Sequence, residues 1–328
     1  MKRRPLGNTG LEISEIVFGA GAVGGGVFHG ERADRLETVR HARDGGINWI
    51  DTAPSYGNGQ SEENLAWILR ELDWLPHLST KVRLGPDGFE DIDYAVRDSV
   101  EESMKRLGFP GVELLQLHNR IQRERDIEAG VVGIEDVLGA NGIADALDRV
   151  REAGFTKFIG FTGLGDVDVL HELVASGRFD TLQTYHNVLN PSATRPMPAG
   201  WSSEDYRELA VRASEQGMGT LNIRVLAAGA VAGSTSRAGG RAMSRGSEPD
   251  RDVARAKLLN EAFAGEPGAP AQRAVRFALD QPALSGVLVG TASADEVDEA
   301  IAAAVLPPLS PEALRRLEAL YERDFDGV

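Results

Sequence analysis

The sequence contains no cysteine, and this absence excludes several kinds of chemistry. Without cysteine there can be no disulfide, no thiolate nucleophile, no cysteine-ligated zinc and no iron–sulfur cluster. Catalytic chemistry must therefore come from other side chains. The same absence fits a cytoplasmic protein, and we expect that location.

Basic residues and long apolar runs are also scarce. With 35 Lys and Arg against 50 Asp and Glu, the net charge is −15. A chain of this charge repels phosphodiester backbones and anionic lipids, so we expect no nucleic-acid partner. The longest uncharged apolar stretch, residues 16–28, has 13 residues, fewer than the about 20 that span a bilayer. Residues 5–10 do not form the apolar core of an export signal, and we expect no membrane segment.

Short apolar segments alternate with amphipathic helical segments along the chain. The predicted strands are residues 16–18, 47–50, 78–82, 112–117, 157–161, 181–185, 220–226 and 286–289. The predicted helices between and after them are residues 31–44, 61–71, 92–107, 143–152, 167–176, 204–216, 271–280, 295–305 and 311–321. Eight apolar strands separated by helices are typical of a (β/α)8 TIM barrel, an α/β fold with a closed parallel sheet. We expect a single domain over residues 1–328.

Elements outside the repeating units are also predicted. Turn signals at Gly7 and Gly10 predict an N-terminal hairpin over residues 2–14, and the last two helices are two extra C-terminal helices. The connections 119–141 and 227–250 exceed the about 12–15 residues of ordinary loops. Both leave the C-terminal ends of strands, where barrel enzymes build their active sites. We predict that 119–141 is a lid over the substrate pocket. The connection 227–250 is either a functional loop or only a flexible one.

The glycine-rich stretch 19–24 (GAGAVG) permits a different fold. It has the G-x-G-x-x-G spacing of a dinucleotide-binding Rossmann fold, and a helix and a strand ending in Asp51 follow it. Three further glycines separate it from that helix, and Asp51 lies 27 residues past Gly24, instead of about 20. The Rossmann fold is therefore the less favoured alternative.

The residues 51–57 (DTAPSYG) form a candidate catalytic turn after the second predicted strand. Asp51 and Tyr56 lie at this strand exit, Lys81 ends the third strand, and His118 ends the fourth. In a barrel, these four side chains converge on one face. Each also has a simpler explanation, because Asp51 could cap a turn, Tyr56 pack at the rim, Lys81 be solvated, and His118 bond the backbone.

These four residues resemble the catalytic tetrad of the aldo-keto reductases, one for one and in order. The resemblance extends over nearly the whole chain and includes residues 6–10, 79–81, 159–163 and 290–299, and Gln183 with Asn187. It implies an NAD(P)(H)-dependent oxidoreductase that interconverts an aldehyde, ketone or aldose and an alcohol by hydride transfer. In that reaction Tyr56 is the proton donor, Lys81 favours its phenolate, and His118 orients the carbonyl oxygen.

The resemblance also implies which residues bind the nicotinamide cofactor. They are Thr162, Gly163, Gln183, Arg224, Leu226, Gly290, Thr291, Ser293, Glu296 and Glu299. The family favours NADP(H), and Arg237, Arg241 and Arg245 could supply positive charge to a phosphate. Glu296 stands where many members have an arginine for the 2′-phosphate. Glu296 makes the use of NAD(H) possible and predicts that the protein discriminates less strongly against NAD(H) than the family usually does.

The expected substrate is a small carbonyl compound or sugar. Its predicted contacts are Phe28, Tyr56, His118 and Tyr185. Two other functions stay open: a redox sensor or regulatory subunit that binds the nucleotide without significant turnover, and a hydrolase whose metal is held by Asp51, His118 and His186. The reductase would need no metal. The sequence indicates neither the physiological substrate nor an oligomeric state.

Overall fold

The structure is a computed structural model that describes residues 1–21, 24–233 and 247–328. The described strands are β1 (Arg3–Pro5), β2 (Glu12–Ser14), β3 (Ile16–Gly19), β4 (Trp49–Asp51), β5 (His77–Val82), β6 (Val112–Leu117), β7 (Arg120–Gln122), β8 (Val131–Gly133), β9 (Thr156–Gly163), β10 (Thr181–Tyr185), β11 (Gly219–Ile223) and β12 (Gly286–Gly290). The described helices are α1 (Arg32–Asp44), α2 (Gln60–Glu71), α3 (Ile92–Leu107), α4 (Ile134–Leu138), α5 (Ile143–Glu152), α6 (Val167–Ala175), α7 (Leu209–Glu215), α8 (Pro249–Ala262), α9 (Pro270–Leu279), α10 (Ala294–Val305) and α11 (Pro311–Glu322).

Eight strands close a barrel in the order β3-β4-β5-β6-β9-β10-β11-β12. Every neighbouring pair is parallel, and β12 closes the barrel on β3 with Leu288 opposite Val17. All residues of β3 are buried, as expected for a strand covered on both faces. The predicted (β/α)8 fold is confirmed. The Rossmann alternative is wrong, because the sheet closes on itself.

The N-terminal hairpin covers one end of the barrel. Strands β1 and β2 pair antiparallel, and Leu6 and Ile13 are fully buried against Trp49, Leu114 and Leu221. Because Trp49 begins β4, this cluster lies at the N-terminal ends of the strands. The hairpin thus closes the end of the barrel opposite the predicted site.

The two predicted C-terminal helices are both present. Helix α10 packs against α1 and α9, and α11 packs against α8. Ser310 caps α11 by accepting a hydrogen bond from the backbone of Ala313. Helix α8 was not predicted from the sequence, although Pro249 at its start is a common first residue of helices. Of the helices described, none combines the length and the hydropathy of a membrane span.

Two predicted boundaries were wrong for the same reason. Helix α7 begins at Leu209 instead of residue 204, because Arg207 and Glu208 have left-handed φ angles of 48° and 60°. Strand β11 ends at Ile223 instead of residue 226, because Arg224 has a φ of 65°. Non-glycine residues seldom adopt this conformation, so the sequence carries no signal for it.

The segment 119–141 is folded onto the barrel and contains β7, β8 and α4. The Asn119 amide donates to the carbonyls of Leu84 and Gly130 at 2.9 and 3.0 Å. The backbone of Ile121 pairs with Leu164 and Asp166. No residue of this segment lines the cavity at the predicted site. The segment therefore does not line this cavity, and its effect on substrate binding stays a prediction.

The connection after β11 is described in part. A short 3-10 segment, Ala227–Ala232, follows the strand, and α8 begins at Pro249. Residues 234–246, which include Arg237, Arg241 and Arg245, lie outside the described residues.

Candidate active site

Asp51 and Lys81 form a buried ion pair at the C-terminal ends of β4 and β5. Lys81 Nζ lies 2.5 Å from Asp51 Oδ2, and the two residues are 1% and 2% exposed. Lys81 Nζ also donates to the carbonyl of Thr52 at 2.8 Å. Burial by itself lowers the pKa of Lys81, but Asp51 and then Tyr56 outweigh it, and the pKa is raised. Lys81 is therefore a fixed ammonium at neutral pH.

Tyr56 lies above this ion pair in the turn that follows β4. Lys81 Nζ is 3.2 Å from Tyr56 Oη, and the Tyr56 ring meets the His118 ring edge-on at a centroid distance of 5.7 Å. A Cβ added to Gly21 would lie 3.5 Å from the Tyr56 ring. The phenol thus faces an ammonium on one side and an imidazole on another.

His118 follows β6 and is held by its backbone, whose N–H donates to the Val82 carbonyl at 2.8 Å. Its Nδ1 lies 3.4 Å from Ser55 Oγ. Burial, followed by the positive charges of Lys81, Arg83 and Arg224, lowers the pKa of His118 to about 3. The imidazole is therefore neutral at neutral pH and can donate one hydrogen bond without carrying a charge.

The second oxygen of Asp51 accepts three further hydrogen bonds. The donors to Oδ1 are Ser79 Oγ at 2.7 Å, Gln183 Nε2 at 2.8 Å and Gln116 Nε2 at 3.2 Å. Ser79 and Gln116 were not predicted as site residues. Each stands two positions before a residue of the predicted tetrad, Lys81 or His118, and alternate strand residues share a face. Ser79 and Gln116 could therefore have been predicted as site residues, because each is a polar residue on the same face of an apolar strand as Lys81 or His118.

A cavity of about 510 Å³ opens beside these residues. Its lining includes Asp51, Tyr56, His118, Thr162, Leu164 and Gln183. The other lining residues are Gly19, Gly21, Gly24, Ile223, Arg224, Val225, Leu226, Ala228, Gly229, Ala232, Ala271, Gln272, Val275, Leu288, Val289, Gly290, Thr291, Glu296, Glu299 and Ala300. The cavity therefore connects the predicted tetrad with the start of α10.

The structure brings eight of the ten predicted cofactor residues to this cavity. Gly163 does not line it, because its Cβ position faces the Leu182 side chain at 2.9 Å. Ser293 does not line it either, because its hydroxyl caps α10 by accepting from the Glu296 N–H at 3.3 Å. Among the lining residues that were not predicted, Gln272 and Val275 come from α9. The sequence of this helix indicates only an amphipathic helix and gives no sign of a binding role.

Two of the four predicted substrate residues do not line the cavity. Tyr56 and His118 do, whereas Phe28 and Tyr185 do not. The Tyr185 ring is buried and stacked on Tyr206 at a centroid distance of 5.5 Å, and the Phe28 ring packs beside His29 at 4.7 Å. Tyr185 is part of the buried core, and Phe28 is partly buried against it.

The metal site of the alternative hydrolase is not assembled. His186 is fully buried and stacked on Phe277 with ring centroids 5.6 Å apart, and it does not line the cavity. The Asp51 carboxylate is already bound by Lys81 and three neutral donors. Within the described ranges, no cluster of three His, Asp or Glu side chains is placed to hold a metal.

The fold is a closed parallel barrel with a cavity at the C-terminal ends of its strands, and comparison with known proteins gives its family. The model of the aldo/keto reductase family matches residues 15–322. The chain therefore belongs to the aldo/keto reductase family, whose members act on small carbonyl compounds and typically bind a nicotinamide cofactor.

Individual relatives agree over nearly the full length. The L-galactose dehydrogenase of Arabidopsis thaliana is 29% identical over 331 residues, covering 97% of this chain and 94% of that protein. A probable voltage-gated potassium channel subunit beta of Oryza sativa subsp. japonica is 25% identical, covering 98% and 97%. The fold matches that of an aldo-keto reductase from Bacillus halodurans in its holo form, with a TM-score of 0.73 and 21% identity over 98% of this chain and 96% of that chain.

The cavity residues that follow β12 fit a dinucleotide. Thr291 Oγ1 is buried without a hydrogen-bond partner among the described residues. A Cβ on Gly24 would lie 2.5 Å from Thr291 N, so only glycine lets this turn pack against the end of β12. Helix α10 begins there, but the Ala292 N–H donates to Glu296 Oε2 and the Glu296 N–H to Ser293 Oγ. The cavity thus offers the unused Thr291 hydroxyl to a phosphorylated ligand.

Proposed function

We propose that the protein is an NAD(P)(H)-dependent carbonyl reductase or alcohol dehydrogenase in which Tyr56 is the proton donor. The observation that supports this most directly is the position of Lys81 Nζ, 2.5 Å from Asp51 Oδ2 and 3.2 Å from Tyr56 Oη. Asp51 and Tyr56 both line the cavity. A phenol in contact with a fixed ammonium is an effective acid for an oxygen that gains negative charge.

When bound, a nicotinamide cofactor supplies the hydride that the carbonyl carbon accepts. The carbonyl oxygen then needs a proton, and Tyr56 Oη donates it. The negative charge left on Tyr56 is stabilised by the Lys81 ammonium, whose own charge is balanced by Asp51. In the oxidative direction the Tyr56 oxygen takes the alcohol proton back.

His118 positions the carbonyl oxygen in this proposal. Because the pKa of His118 is lowered to about 3, the ring does not compete with Tyr56 as an acid near neutral pH. A neutral N–H donor beside the phenol can still hydrogen-bond the carbonyl oxygen and direct it towards Tyr56 Oη.

Thr162 and Gln183 are the polar residues that would hold the nicotinamide amide, since both line the cavity. Gln183 Nε2 donates to Asp51 Oδ1 at 2.8 Å. Its Oε1, to which the Thr162 hydroxyl donates at 3.5 Å, is the atom that can also accept from an amide. Thr291, whose buried hydroxyl has no partner among the described residues, would hold a phosphate of the cofactor.

Glu296 bears on the choice between NADP(H) and NAD(H). It lines the cavity, and its Oε2 accepts a hydrogen bond from the Ala292 N–H at 2.8 Å. A carboxylate therefore already occupies the donor end of α10. A 2′-phosphate brought within about 4 Å would be opposed by about 1 kcal/mol or more for each charge. We propose that NAD(H) is accepted alongside NADP(H), with weaker discrimination than the family usually shows.

A regulatory subunit that binds the nucleotide without turnover is the second candidate. Full-length similarity to a probable potassium channel subunit beta favours it. The complete tetrad favours an enzyme, because a nucleotide sensor has no need of a proton donor backed by a buried ammonium.

The experiment that decides between them is a panel of aldehydes, ketones and free sugars, assayed in both directions with NADPH, NADH and their oxidised forms. Turnover of at least one carbonyl class, together with saturable binding of a reduced cofactor, is expected. Tight cofactor binding with no turnover of any compound would favour the regulatory subunit.

A further inference from the structure

Three arginines at the C-terminal end of the barrel differ from most arginines of this acidic chain. Elsewhere the guanidinium groups are commonly paired, as Arg106 is with Glu62 and Arg255 is with Asp324. Across residues 1–21, 24–233 and 247–328, Arg83, Arg120 and Arg224 have no carboxylate partner. In a chain with 50 acidic residues, unpaired cations at one place call for an explanation.

Arg224 belongs to the cavity that contains Tyr56 and His118. It follows β11 directly and has a left-handed φ of 65°. Its carbonyl is held by the Asn187 amide at 3.1 Å and by the Ala227 N–H at 2.9 Å. A non-glycine residue kept in this conformation by its surroundings commonly marks a functional position.

Arg83 and Arg120 lie at the same end of the barrel. Arg83 stands two residues after Lys81 where β5 ends, and Arg120 stands two residues after His118. The charged groups that act on the pKa of His118 are all cations, namely Lys81, Arg83 and Arg224. Asp51 balances the charge of Lys81, so the positive charge left near the imidazole is that of Arg83 and Arg224.

We infer that the preferred substrate carries an anionic group, a carboxylate or a phosphate, and that Arg224, which lines the cavity, binds this group. This inference rests on the proposed function, since it names the class of carbonyl compound that the site turns over. A guanidinium offers two parallel N–H donors that match the two oxygens of a carboxylate or a phosphate. An unpaired guanidinium in a partly enclosed cavity is more favourable for such a ligand than one in bulk water.

The first test compares aldehydes that differ in charge and little in shape. The pair is 4-carboxybenzaldehyde and 4-formylbenzamide, and glyceraldehyde 3-phosphate with glyceraldehyde tests the phosphate. We expect the anionic member of at least one pair to have a kcat/KM higher by about tenfold or more, the effect of one charged hydrogen-bonded contact. The difference should lie in KM and should shrink as salt is added. Equal kcat/KM values within both pairs would overturn the inference.

The second test measures the same ratio, anionic over neutral, in variants. Arg224→Gln should lower the ratio towards one. Arg224→Lys should keep part of the preference for the anion, because the positive charge remains while the two parallel N–H donors are lost. Arg83→Gln should give a smaller decrease. Arg3→Gln removes an equal charge from the hairpin at the opposite end of the barrel and should leave the ratio unchanged.

The alternative to be excluded is that Arg224 binds the cofactor instead of the substrate. If Arg224→Gln weakened the binding of NADPH and NADH and left the ratio unchanged, Arg224 would serve the cofactor and the inference would be wrong. Calorimetric titration of the cofactor-bound protein with terephthalate and with terephthalamide tests the anion site without turnover. We expect terephthalate to bind the wild type and not Arg224→Gln. This binding is expected even if no aldehyde is turned over, a result that would contradict the proposed function and leave the anion site intact. Equal binding of the two compounds would count against the anion site.

Discussion

Lys81 and Asp51 are joined by a 2.5 Å contact between Nζ and Oδ2 inside the barrel. The pair does two things at once. It keeps a lysine charged where burial by itself would lower its pKa, and it places that charge 3.2 Å from Tyr56 Oη. We therefore expect stability and the proposed catalysis to depend on the same two side chains, and variants can separate the two effects.

Asp51→Asn should lower the free energy of unfolding by about 3–5 kcal/mol, because it leaves the Lys81 ammonium buried without a countercharge. Urea denaturation of the variant gives the value. The double variant Asp51→Asn/Lys81→Met should regain much of that stability and remain inactive. Asp98→Asn, at an exposed position of α3, is the control. A single variant as stable as the wild type would mean that the ion pair is not buried.

The neutrality of His118 predicts how pH acts on the protein. With a folded-state pKa of about 3 against an ordinary value of 6.5, the unfolded chain binds the proton more readily. The contribution of His118 to stability is therefore complete above pH 6.5 and is lost as pH falls towards about 3. Nitrogen-15 NMR at pH 6 should show a neutral His118 ring, while His41, whose pKa Asp298 raises, should remain largely protonated. A protonated His118 at that pH would contradict its proposed role.

Glu296→Arg should tighten NADPH binding and barely change NADH binding, because the substitution replaces a repelled charge with a phosphate partner. The dissociation constants of both reduced cofactors can be measured by fluorescence titration. Asp295→Arg, at the neighbouring exposed position, controls for the general change of charge. Unchanged NADPH affinity in Glu296→Arg would mean that Glu296 does not face the adenosine ribose.

Asn119→Ala should lower the free energy of unfolding by about 1–3 kcal/mol, since it removes the partners of buried backbone groups. The amide of Asn119 serves the carbonyls of Leu84 and Gly130 and the N–H of Leu84. Chemical denaturation is the measurement, with Glu128→Ala, at an exposed position of the same segment, as the control. A change of KM without a change of stability would instead support the idea of a lid.

The barrel could be predicted from the sequence because strands buried on both faces leave continuous apolar runs, which amphipathic helices separate. The predicted tetrad was recognisable for a related reason. Asp51, Lys81 and His118 are polar residues at the ends of such runs, and strand ends converge in a barrel.

What could not be predicted depends on tertiary context. The left-handed turn at Arg224 ends β11 early, and no sequence rule places an arginine there. The packing of Tyr185 on Tyr206 looks, in the sequence, the same as an aromatic wall for a substrate. The Gln183 and Gln116 amides meet Asp51 across the interior of the barrel, a contact between residues far apart in the chain.

The central claim is that Tyr56 donates the proton, and the most direct measurement is the kcat/KM of Tyr56→Phe on the best carbonyl substrate, together with the dissociation constant of the reduced cofactor. Tyr94→Phe removes the same hydroxyl from a ring that is 66% exposed on α3 and should behave as the wild type. For Tyr56→Phe we predict a loss of at least about 10²-fold in kcat/KM, as expected when a general acid is removed, with cofactor affinity nearly unchanged. Full activity in Tyr56→Phe would contradict the account.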